Sequence, residues 1–181
     1  ESVYSIMASG SDKVTNHYST SYDHIARAID NPLVELVSDR KTAKLHLLNR
    51  LIMAMLSGNG DMHLENLSII ERDGKLAFSP VYDPAPMRAY SIHDTLFPTG
   101  MGFGDYGDMI NNKFVDFNTA MKRFCKNLGL SKSQLYSSIE HLLEATEDYD
   151  KKITSLKTLP DANKKNLIKI HKQMREKFEE L

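Results

Sequence analysis

The stretch Gly58-Asn59-Gly60-Asp61-Met62-His63-Leu64-Glu65-Asn66 decides how this chain folds, because it separates two different periodicities. Before it, over about 32–57, apolar residues recur at helical spacing and should form one buried stripe: Leu45, Leu48, Ile52, Met55 and Leu56. After it, two short segments at 67–71 and 75–79 are predicted as strands, and Asp73-Gly74 between them is a strong signal for a two-residue hairpin turn. The stretch is therefore predicted to be an elbow between a helix and a hairpin, with Gly58 suited to the left-handed turn that ends a helix.

The rest of the chain predicts helices and one long loop. We expect a brief helix near 3–7, a second one after Ser21 that stops at Asn31-Pro32, and a candidate break at Ser38-Asp39 in the stretch that follows. Three helices should finish the chain, over about 116–127, from Ser131, and from Asp161. Residues 84–115 are rich in Pro and Gly and keep no period, which is typical of a functional loop. The fold class is therefore mainly α with a small β-hairpin, in a single domain.

The composition sets limits on the protein class. The chain has 181 residues, enough for one domain with a real core, and its 23 Lys and Arg residues nearly balance 24 Asp and Glu residues. That balance gives no general field for attracting nucleic acid or an anionic membrane. The lone Cys125 excludes an internal disulfide and fits a reducing cytoplasm, and neither a membrane span nor a signal peptide is evident. We therefore expect a cytoplasmic protein without a membrane partner. Because the first residue is Glu1, we also expect that something is missing upstream.

Three polar residues around the elbow indicate phosphoryl transfer. Asp61 and Asn66 stand five residues apart, which is the separation between the catalytic Asp and the metal-binding Asn in a kinase catalytic loop. Asp83 follows after one hairpin, where a kinase has its second metal-binding Asp. Because the two strands run out and back, Asn66 and Asp83 should return to the same end, near Asp61. Phosphoryl transfer requires one carboxylate that orients the attacking hydroxyl and oxygen ligands that hold Mg²⁺, and these three residues supply both.

A family resemblance rests on these same residues. The string GNGDMHLEN at 58–66, SPVYDPAP at 79–86 and the helical tail resemble the C-terminal lobe of HipA-type toxin Ser/Thr kinases, and the opening YDHIA at 22–26 resembles the stretch ahead of that family's catalytic loop. The resemblance implies a protein-kinase-like C-terminal lobe that spans 1–181 as one domain. In it, 1–57 forms the leading helices, 58–84 the catalytic loop, hairpin and metal-binding Asp, 85–115 the long loop, and 116–181 the helical tail.

The resemblance also implies roles and partners. Asp61 resembles the catalytic base, while Asn66 and Asp83 resemble the Mg²⁺ ligands. The residues at the family's nucleotide and phosphate contacts would be His63, Leu64, Glu65, Asn66 and Tyr82. The implied function is an ATP-dependent protein serine/threonine kinase of a toxin–antitoxin system. Its implied partners are ATP, a protein substrate that in the family is typically an aminoacyl-tRNA synthetase, and an antitoxin with a DNA-binding domain.

Two features depart from the family pattern. Position 65 is often basic in the family and is Glu65 here, so a carboxylate stands near the expected phosphates. No Gly-rich phosphate loop precedes residue 58, and no Lys has the setting of the ATP-binding strand of a kinase. We therefore expect that an ATP-binding N-terminal lobe is missing and that residues 1–181 alone are inactive.

Alternative hypotheses remain open at this point. One is a catalytically inactive kinase-like binding module. Another is a two-metal phosphoesterase, which would use the Asp61-x-His63 spacing together with His93-Asp94. A third is direct contact with nucleic acid through the basic residues of the last helix: Lys164, Lys165, Lys169, Lys172, Arg175 and Lys177.

Overall fold

The central element of the fold is a long helix against which most other elements pack. A computed structural model describes residues 1–16, 21–90, 109–110, 113–114 and 116–181. In these ranges the chain forms seven α-helices: α1 (Val3–Ser9), α2 (Tyr22–Asp30), α3 (Arg40–Ser57), α4 (Phe117–Asn127), α5 (Lys132–Ala145), α6 (Tyr149–Ser155) and α7 (Asp161–Glu179). Two antiparallel strand pairs complete it: β1 (Ile69–Arg72) with β2 (Lys75–Phe78), and β3 (Met109–Ile110) with β4 (Lys113–Phe114). The expected class, mainly α with a small hairpin, is confirmed.

The helix α3 begins later than the periodicity predicts. It starts at Arg40, because Asp39 is its N-cap and accepts a hydrogen bond from the Thr42 amide at 3.0 Å. The expectation of one helical stretch over 32–57 is therefore wrong for its first part, and the candidate break at Ser38-Asp39 is confirmed. The Ser38 amide instead donates to the Leu76 carbonyl at 2.9 Å, so this segment lies along the free edge of β2.

Local capping chemistry sets the ends of other helices as expected. Ser21 caps α2 in a capping box with His24, and Ser131 caps α5 in a capping box with Gln134. The helix α2 ends at Asp30, just before Asn31-Pro32, and α7 opens at Asp161. These helix ends are decided by residues adjacent in sequence, which explains why the sequence predicts them well.

The helix α6 was not predicted, so the described tail holds four helices rather than three. Its seven residues, YDKKITS, are mostly polar, and a single apolar pair, Tyr149 and Ile153 at i, i+4 spacing, packs in a small buried cluster. Tertiary contacts hold it instead: the Tyr149 hydroxyl donates to the Ser57 carbonyl at 2.7 Å, and Lys172 forms an ion pair with Asp150 at 3.3 Å. A helix this short depends on such packing, because isolated short helices are marginal in water.

The main core lies on the buried side of α3. Leu47, Leu48, Leu51, Ile52 and Met55 have no exposed surface, and α2, α5 and α7 pack against this helix. Fully burying each of these side chains contributes roughly 1.5–3 kcal/mol before entropy is counted. Of the predicted stripe, Leu48, Ile52, Met55 and Leu56 are fully buried and Leu45 is partly buried.

One buried tyrosine links the core to the elbow. The ring of Tyr22 packs edge-on against Phe124, with centroids 6.4 Å apart, and its hydroxyl donates to the Met62 carbonyl at 2.6 Å. Complete burial raises the pKa of Tyr22, because an ionised phenolate would be desolvated there. The hydroxyl therefore stays protonated and acts as a donor, and its hydrogen bond attaches the backbone of the elbow to the main core.

The β1–β2 hairpin has the geometry that its turn residues predict. Ile69 pairs with Phe78 and Arg72 pairs with Lys75 in an antiparallel register. Asp73 and Gly74 both have positive φ, 53° and 72°, as a type I′ turn requires. At the base, the Ser79 amide donates to the Ser68 carbonyl at 2.8 Å.

The segment predicted as a long loop over 84–115 contains short regular elements in its described residues. Met87–Ala89 forms a 3₁₀ turn, and β3 pairs with β4. Residues 91–108, 111, 112 and 115 lie outside the described part. Among the helices of the described residues, none combines the length and the apolar content that crossing a lipid bilayer requires.

Candidate functional site

The elbow that leads out of α3 starts at a position that strongly favours glycine. Gly58 has φ 71°, in the left-handed region, and a Cβ built there would lie 2.9 Å from Leu167 Cδ2 on α7. The Asn59 amide donates to the Ala54 carbonyl at 2.9 Å, which turns the chain away from the helix axis. The Asn59 side chain in turn accepts from the Asp61 amide at 2.9 Å. Backbone and side-chain bonds therefore fix the approach to Asp61 before any tertiary contact is counted.

Asp61 and Asn66 are joined directly. The amide nitrogen of Asn66 donates to the Asp61 carbonyl at 2.6 Å and lies 3.4 Å from the carboxylate oxygen Oδ2. The Asp61 side chain keeps 20% of its surface exposed, so its carboxylate remains accessible at the surface of the elbow. The side-chain oxygen of Asn66, Oδ1, accepts no hydrogen bond from the described residues. This oxygen is therefore available to bind a ligand.

His63 lies against Asp61. Its Nε2 is 3.4 Å from Asp61 Oδ1, and its Nδ1 accepts from the Glu65 amide at 3.3 Å. Because Nδ1 is the acceptor, a neutral imidazole carries its proton on Nε2, the nitrogen that faces the carboxylate. His63 is nearly buried, and it contacts one carboxylate oxygen of Asp61 while Asn66 contacts the other.

Asn66 and Asp83 line the same cavity, as the hairpin geometry predicts. The cavity has a volume of about 320 Å³, and its lining residues are Arg50, Met53, Ala54, Ser57, Asn59, Met62, Asn66, Val81, Tyr82, Asp83 and Pro84. Its walls are mostly apolar, with the polar groups of Asn59, Asn66 and Asp83 among them. A cavity with apolar walls and a few convergent polar groups is typical of a small-molecule site.

Tyr82 anchors the segment that carries Asp83. Its hydroxyl donates to the Glu65 carbonyl and lies 2.7 Å from the Ser68 hydroxyl, so it ties the segment after β2 to the segment before β1. Asp83 follows with φ 48°, a left-handed conformation that is uncommon outside glycine but tolerated by Asp and Asn. The strained residue lies between this anchor and Pro84.

Three of the predicted contact residues, His63, Leu64 and Glu65, do not line the cavity, and neither does the predicted base Asp61, which reaches it only through its contact with Asn66. The side chain of Leu64 has no exposed surface and belongs to the main core, so only its backbone could meet a ligand. Glu65 is exposed and lies outside the lining set of the cavity. Its carboxylate, which stands where a basic residue is expected from the family resemblance, is therefore not part of the wall that holds Asn66 and Asp83. The contact roles predicted for His63, Leu64 and Glu65 stay predictions.

The sequence analysis missed Arg50, a buried cation beside the cavity. Arg50 is 5% exposed, and burial lowers the pKa of its guanidinium. Burial also lowers the pKa of His46, which lies one helical turn earlier and accepts from Arg50 Nε at 2.9 Å. The signal in the sequence was available: position 50 falls three residues after Leu47 and four before Ala54, on the apolar stripe of α3.

The ligand set of a two-metal phosphoesterase does not appear in the described residues. Within these ranges, no three side chains of the His, Cys, Asp and Glu types converge as a metal cluster would require. His93 and Asp94, which that hypothesis recruits, lie outside the described part. On the C-terminal helix, part of the basic charge is paired internally, since Lys164 contacts Asp161 and Lys172 contacts Asp150.

Three comparisons with known proteins agree with one another. The family model described as "HipA-like C-terminal domain" matches residues 1–149. A Haemophilus influenzae protein named "Putative kinase" is 26% identical over 140 residues, which cover 68% of this chain and 38% of that protein. A solved structure of the Shewanella oneidensis MR-1 toxin–antitoxin system HipA, HipB and its operator DNA complex shares the fold, with a TM-score of 0.54 and 19% identity. That match covers 89% of this chain and 35% of the other, so the chain spans little more than a third of the proteins it resembles.

Proposed function

The chain belongs to the family of HipA-like C-terminal domains, and from that premise we propose that it is the catalytic-loop lobe of an ATP-dependent protein serine/threonine kinase of a toxin–antitoxin system. One observation carries the proposal. Asn66 contacts Asp61 through its amide nitrogen and lines one cavity with Asp83, so a general base and two oxygen ligands share one small region. Kinase chemistry requires this set of groups in this proximity.

Asp61 is the proposed general base. Its carboxylate would orient the hydroxyl of a substrate Ser or Thr and accept its proton as the oxygen attacks the γ-phosphorus of ATP, while the bond from that phosphorus to the β,γ-bridging oxygen breaks and ADP leaves. Asn66 and His63 each contact a different one of its two carboxylate oxygens, both at 3.4 Å, which restricts the rotation of the carboxylate. A carboxylate with restricted rotation would increase the rate of phosphoryl transfer, because it aligns the attacking hydroxyl with the γ-phosphorus before the reaction.

The residues present fit a Mg²⁺ site. The amide oxygen of Asn66 and the carboxylate of Asp83 are hard oxygen ligands on one cavity, and Mg²⁺ is usually held by one or two such groups together with substrate phosphates. When bound, the ion would neutralise the charge of the transferred phosphoryl group. Two protein ligands make a poor magnesium site by themselves, so we expect binding to depend on nucleotide.

Nucleotide contacts are proposed for the residues that surround this pair. Tyr82 lines the cavity beside Asp83, and the backbones of Leu64 and Glu65 form the turn between Asp61 and Asn66. His63 is a further proposed phosphate contact, and its ring lies 3.4 Å from the Asp61 carboxylate and outside the cavity lining. The remaining contacts, including those to the β- and γ-phosphates, would come from an ATP-binding half on the same chain or on a partner subunit.

The proposed partners follow from the relatives. The solved neighbour is a complex of HipA with HipB and operator DNA, and we propose a DNA-binding antitoxin as a partner of this protein too. The proposed substrate is a protein, with an aminoacyl-tRNA synthetase as the first candidate. Contact with DNA would then be made through the antitoxin.

The test is radiolabel transfer from [γ-³²P]ATP in the whole protein, with its ATP-binding half present and purified aminoacyl-tRNA synthetases as acceptors. Asp61→Asn should lower the rate at least about a hundredfold, the share that a positioned base contributes. Asp73→Asn is the matched control, because Asp73 is exposed at the tip of the hairpin and Asn tolerates its positive φ.

Two results would count against the proposal. Near wild-type transfer by a folded Asp61→Asn protein would remove Asp61 from the mechanism. Absence of any labelled serine or threonine, including on the protein itself, would favour the catalytically inactive binding module instead.

A further inference from the structure

Arg50 is a charged residue in a place where charge is costly. Only 5% of its surface is exposed, and taking a guanidinium out of water is unfavourable unless its donors are satisfied by other groups. Arginine keeps its charge in proteins even where burial lowers its pKa. A buried cation on the wall of the candidate active site therefore needs an explanation beyond packing.

Contacts from three directions hold the guanidinium. Its Nε donates to His46 Nε2 at 2.9 Å, one turn back on α3. Its Nη2 donates to the Ser79 carbonyl, the first residue after β2. The ring of Phe78, the last residue of β2, lies with its centroid 5.8 Å from Cζ. The guanidinium is therefore bonded both to a residue of its own helix and to the end of β2. These contacts leave it little freedom to rotate.

These contacts act on the segment that leads to Asp83. Ser79 begins that segment, and Pro80 next to it restricts the backbone further. Tyr82 anchors the far end through its bonds to the Glu65 carbonyl and the Ser68 hydroxyl. The segment is thus pinned at Ser79 by Arg50 and at Tyr82 by the turn before β1, and Asp83 follows directly.

We propose that Arg50 is a positioning residue, which holds the exit of β2 so that Asp83 meets Asn66 across their shared cavity. Arg50 acts through the Ser79 carbonyl rather than on the substrate. The expected effect of Arg50 on phosphoryl transfer rests on the proposed kinase function. Its structural content, the restraint of the segment after β2, can be measured without any activity.

Arg50→Lys is the informative variant. It keeps the charge, but an ammonium group on a flexible stem cannot reproduce the planar fork that serves His46 and Ser79 together. Arg50→Met, which removes the charge, tests the same restraint, and Arg27→Lys is the matched control because Arg27 is exposed on α2. All variants are made in the whole protein.

The first readout is hydrogen exchange, resolved at single amides by NMR. The Ser79 amide, which donates to the Ser68 carbonyl at 2.8 Å, should exchange about tenfold faster in Arg50→Lys, the effect of losing one charged hydrogen bond. The amide of Phe124, in the core of α4, should be unchanged, which distinguishes local opening from global unfolding.

The second readout is the Mg²⁺ concentration that gives half-maximal phosphoryl transfer. It should rise about tenfold in Arg50→Lys and stay at the wild-type value in Arg27→Lys. Equal acceleration of the Ser79 and Phe124 amides would overturn the proposal, because Arg50 would then only stabilise the fold. Unchanged Ser79 exchange would overturn it as well. If the wild-type protein transfers no phosphate, the proposed function fails, and the exchange result still decides the role of Arg50.

Discussion

Replacing Gly58 with alanine should destabilise the chain through two separable effects. The first is conformational, because φ at Gly58 is 71° and an L-residue in the left-handed region costs roughly 1–2 kcal/mol. The second is steric, because the new Cβ would lie 2.9 Å from Leu167 Cδ2. Leu167 is 1% exposed and packs with Ala89 and Ile153, so it cannot turn into free space. Overpacking of this kind costs about 1–3 kcal/mol.

The hairpin offers the control that isolates the steric effect. Gly74 has φ 72°, and a Cβ built there meets nothing within 4 Å in the described structure. Gly74→Ala should therefore show the conformational cost alone, and Gly58→Ala should lose about 1–3 kcal/mol more than Gly74→Ala. The measurement is urea unfolding of both variants beside the wild type. Melting temperature should fall by about 2–4 °C for each kcal/mol in a chain of this size.

A double-mutant cycle tests whether the clash is with Leu167. Leu167→Ala alone should cost about 2–5 kcal/mol through the cavity it leaves. Combined with Gly58→Ala, the loss should be smaller than the sum by roughly 1–3 kcal/mol, because the new methyl group occupies part of that cavity. Additive losses, together with equal effects of the Gly58 and Gly74 substitutions, would refute this account of how α3 and α7 meet at the elbow.

Two further predictions concern metal and pH. Asp83→Asn keeps a side chain that tolerates positive φ but removes a carboxylate ligand, so the Mg²⁺ concentration for half-maximal transfer should rise at least about tenfold, whereas Asp73→Asn should leave it unchanged. An Asp83→Asn protein with wild-type metal dependence would remove Asp83 from the metal site. Burial lowers the folded-state pKa of His46 below its ordinary value, so the stability that neutral His46 provides is present above about pH 6.5 and is lost as the pH falls below it. Urea unfolding between pH 7 and pH 5 should therefore show a steeper loss in the wild type than in His46→Gln, which keeps an acceptor for Arg50. His141→Gln, at an exposed position on α5, should keep the wild-type slope, and equal slopes in all three proteins would contradict the assignment.

Features encoded by neighbouring residues were predictable from the sequence. The hairpin follows from Asp73-Gly74, whose positive φ values are the ones that its turn type needs. The left-handed end of α3 follows from Gly58 for the same reason. The meeting of Asn66 and Asp83 at one cavity follows from the hairpin, because strands that run out and back return to their starting end.

Features that depend on tertiary contacts were not predictable. The helix α6 depends on the bond from Tyr149 to the end of α3 and on the ion pair of Asp150 with α7, and the one apolar pair within α6, Tyr149 and Ile153, is too short a pattern to predict a helix. The position of His63 against Asp61 depends on the turn at 64–66, which fixes the ring through the Glu65 amide. The partner of Arg50 is the Ser79 carbonyl, and a backbone acceptor leaves no mark in the sequence.

The β1–β2 hairpin also restricts how this part of the gene can change in length. Asn66 precedes β1 and Asp83 follows β2, so equal additions to both strands near the turn lengthen only the tip and leave the base of the hairpin as it is. A single residue inserted into one strand would turn every later side chain to the opposite face and displace the following chain by about 3.3 Å. Insertions and deletions among homologous genes should therefore occur in matched pairs around the turn. The number of residues between Asn66 and the start of β1, and between the end of β2 and Asp83, should stay constant, because these segments set the geometry of the cavity.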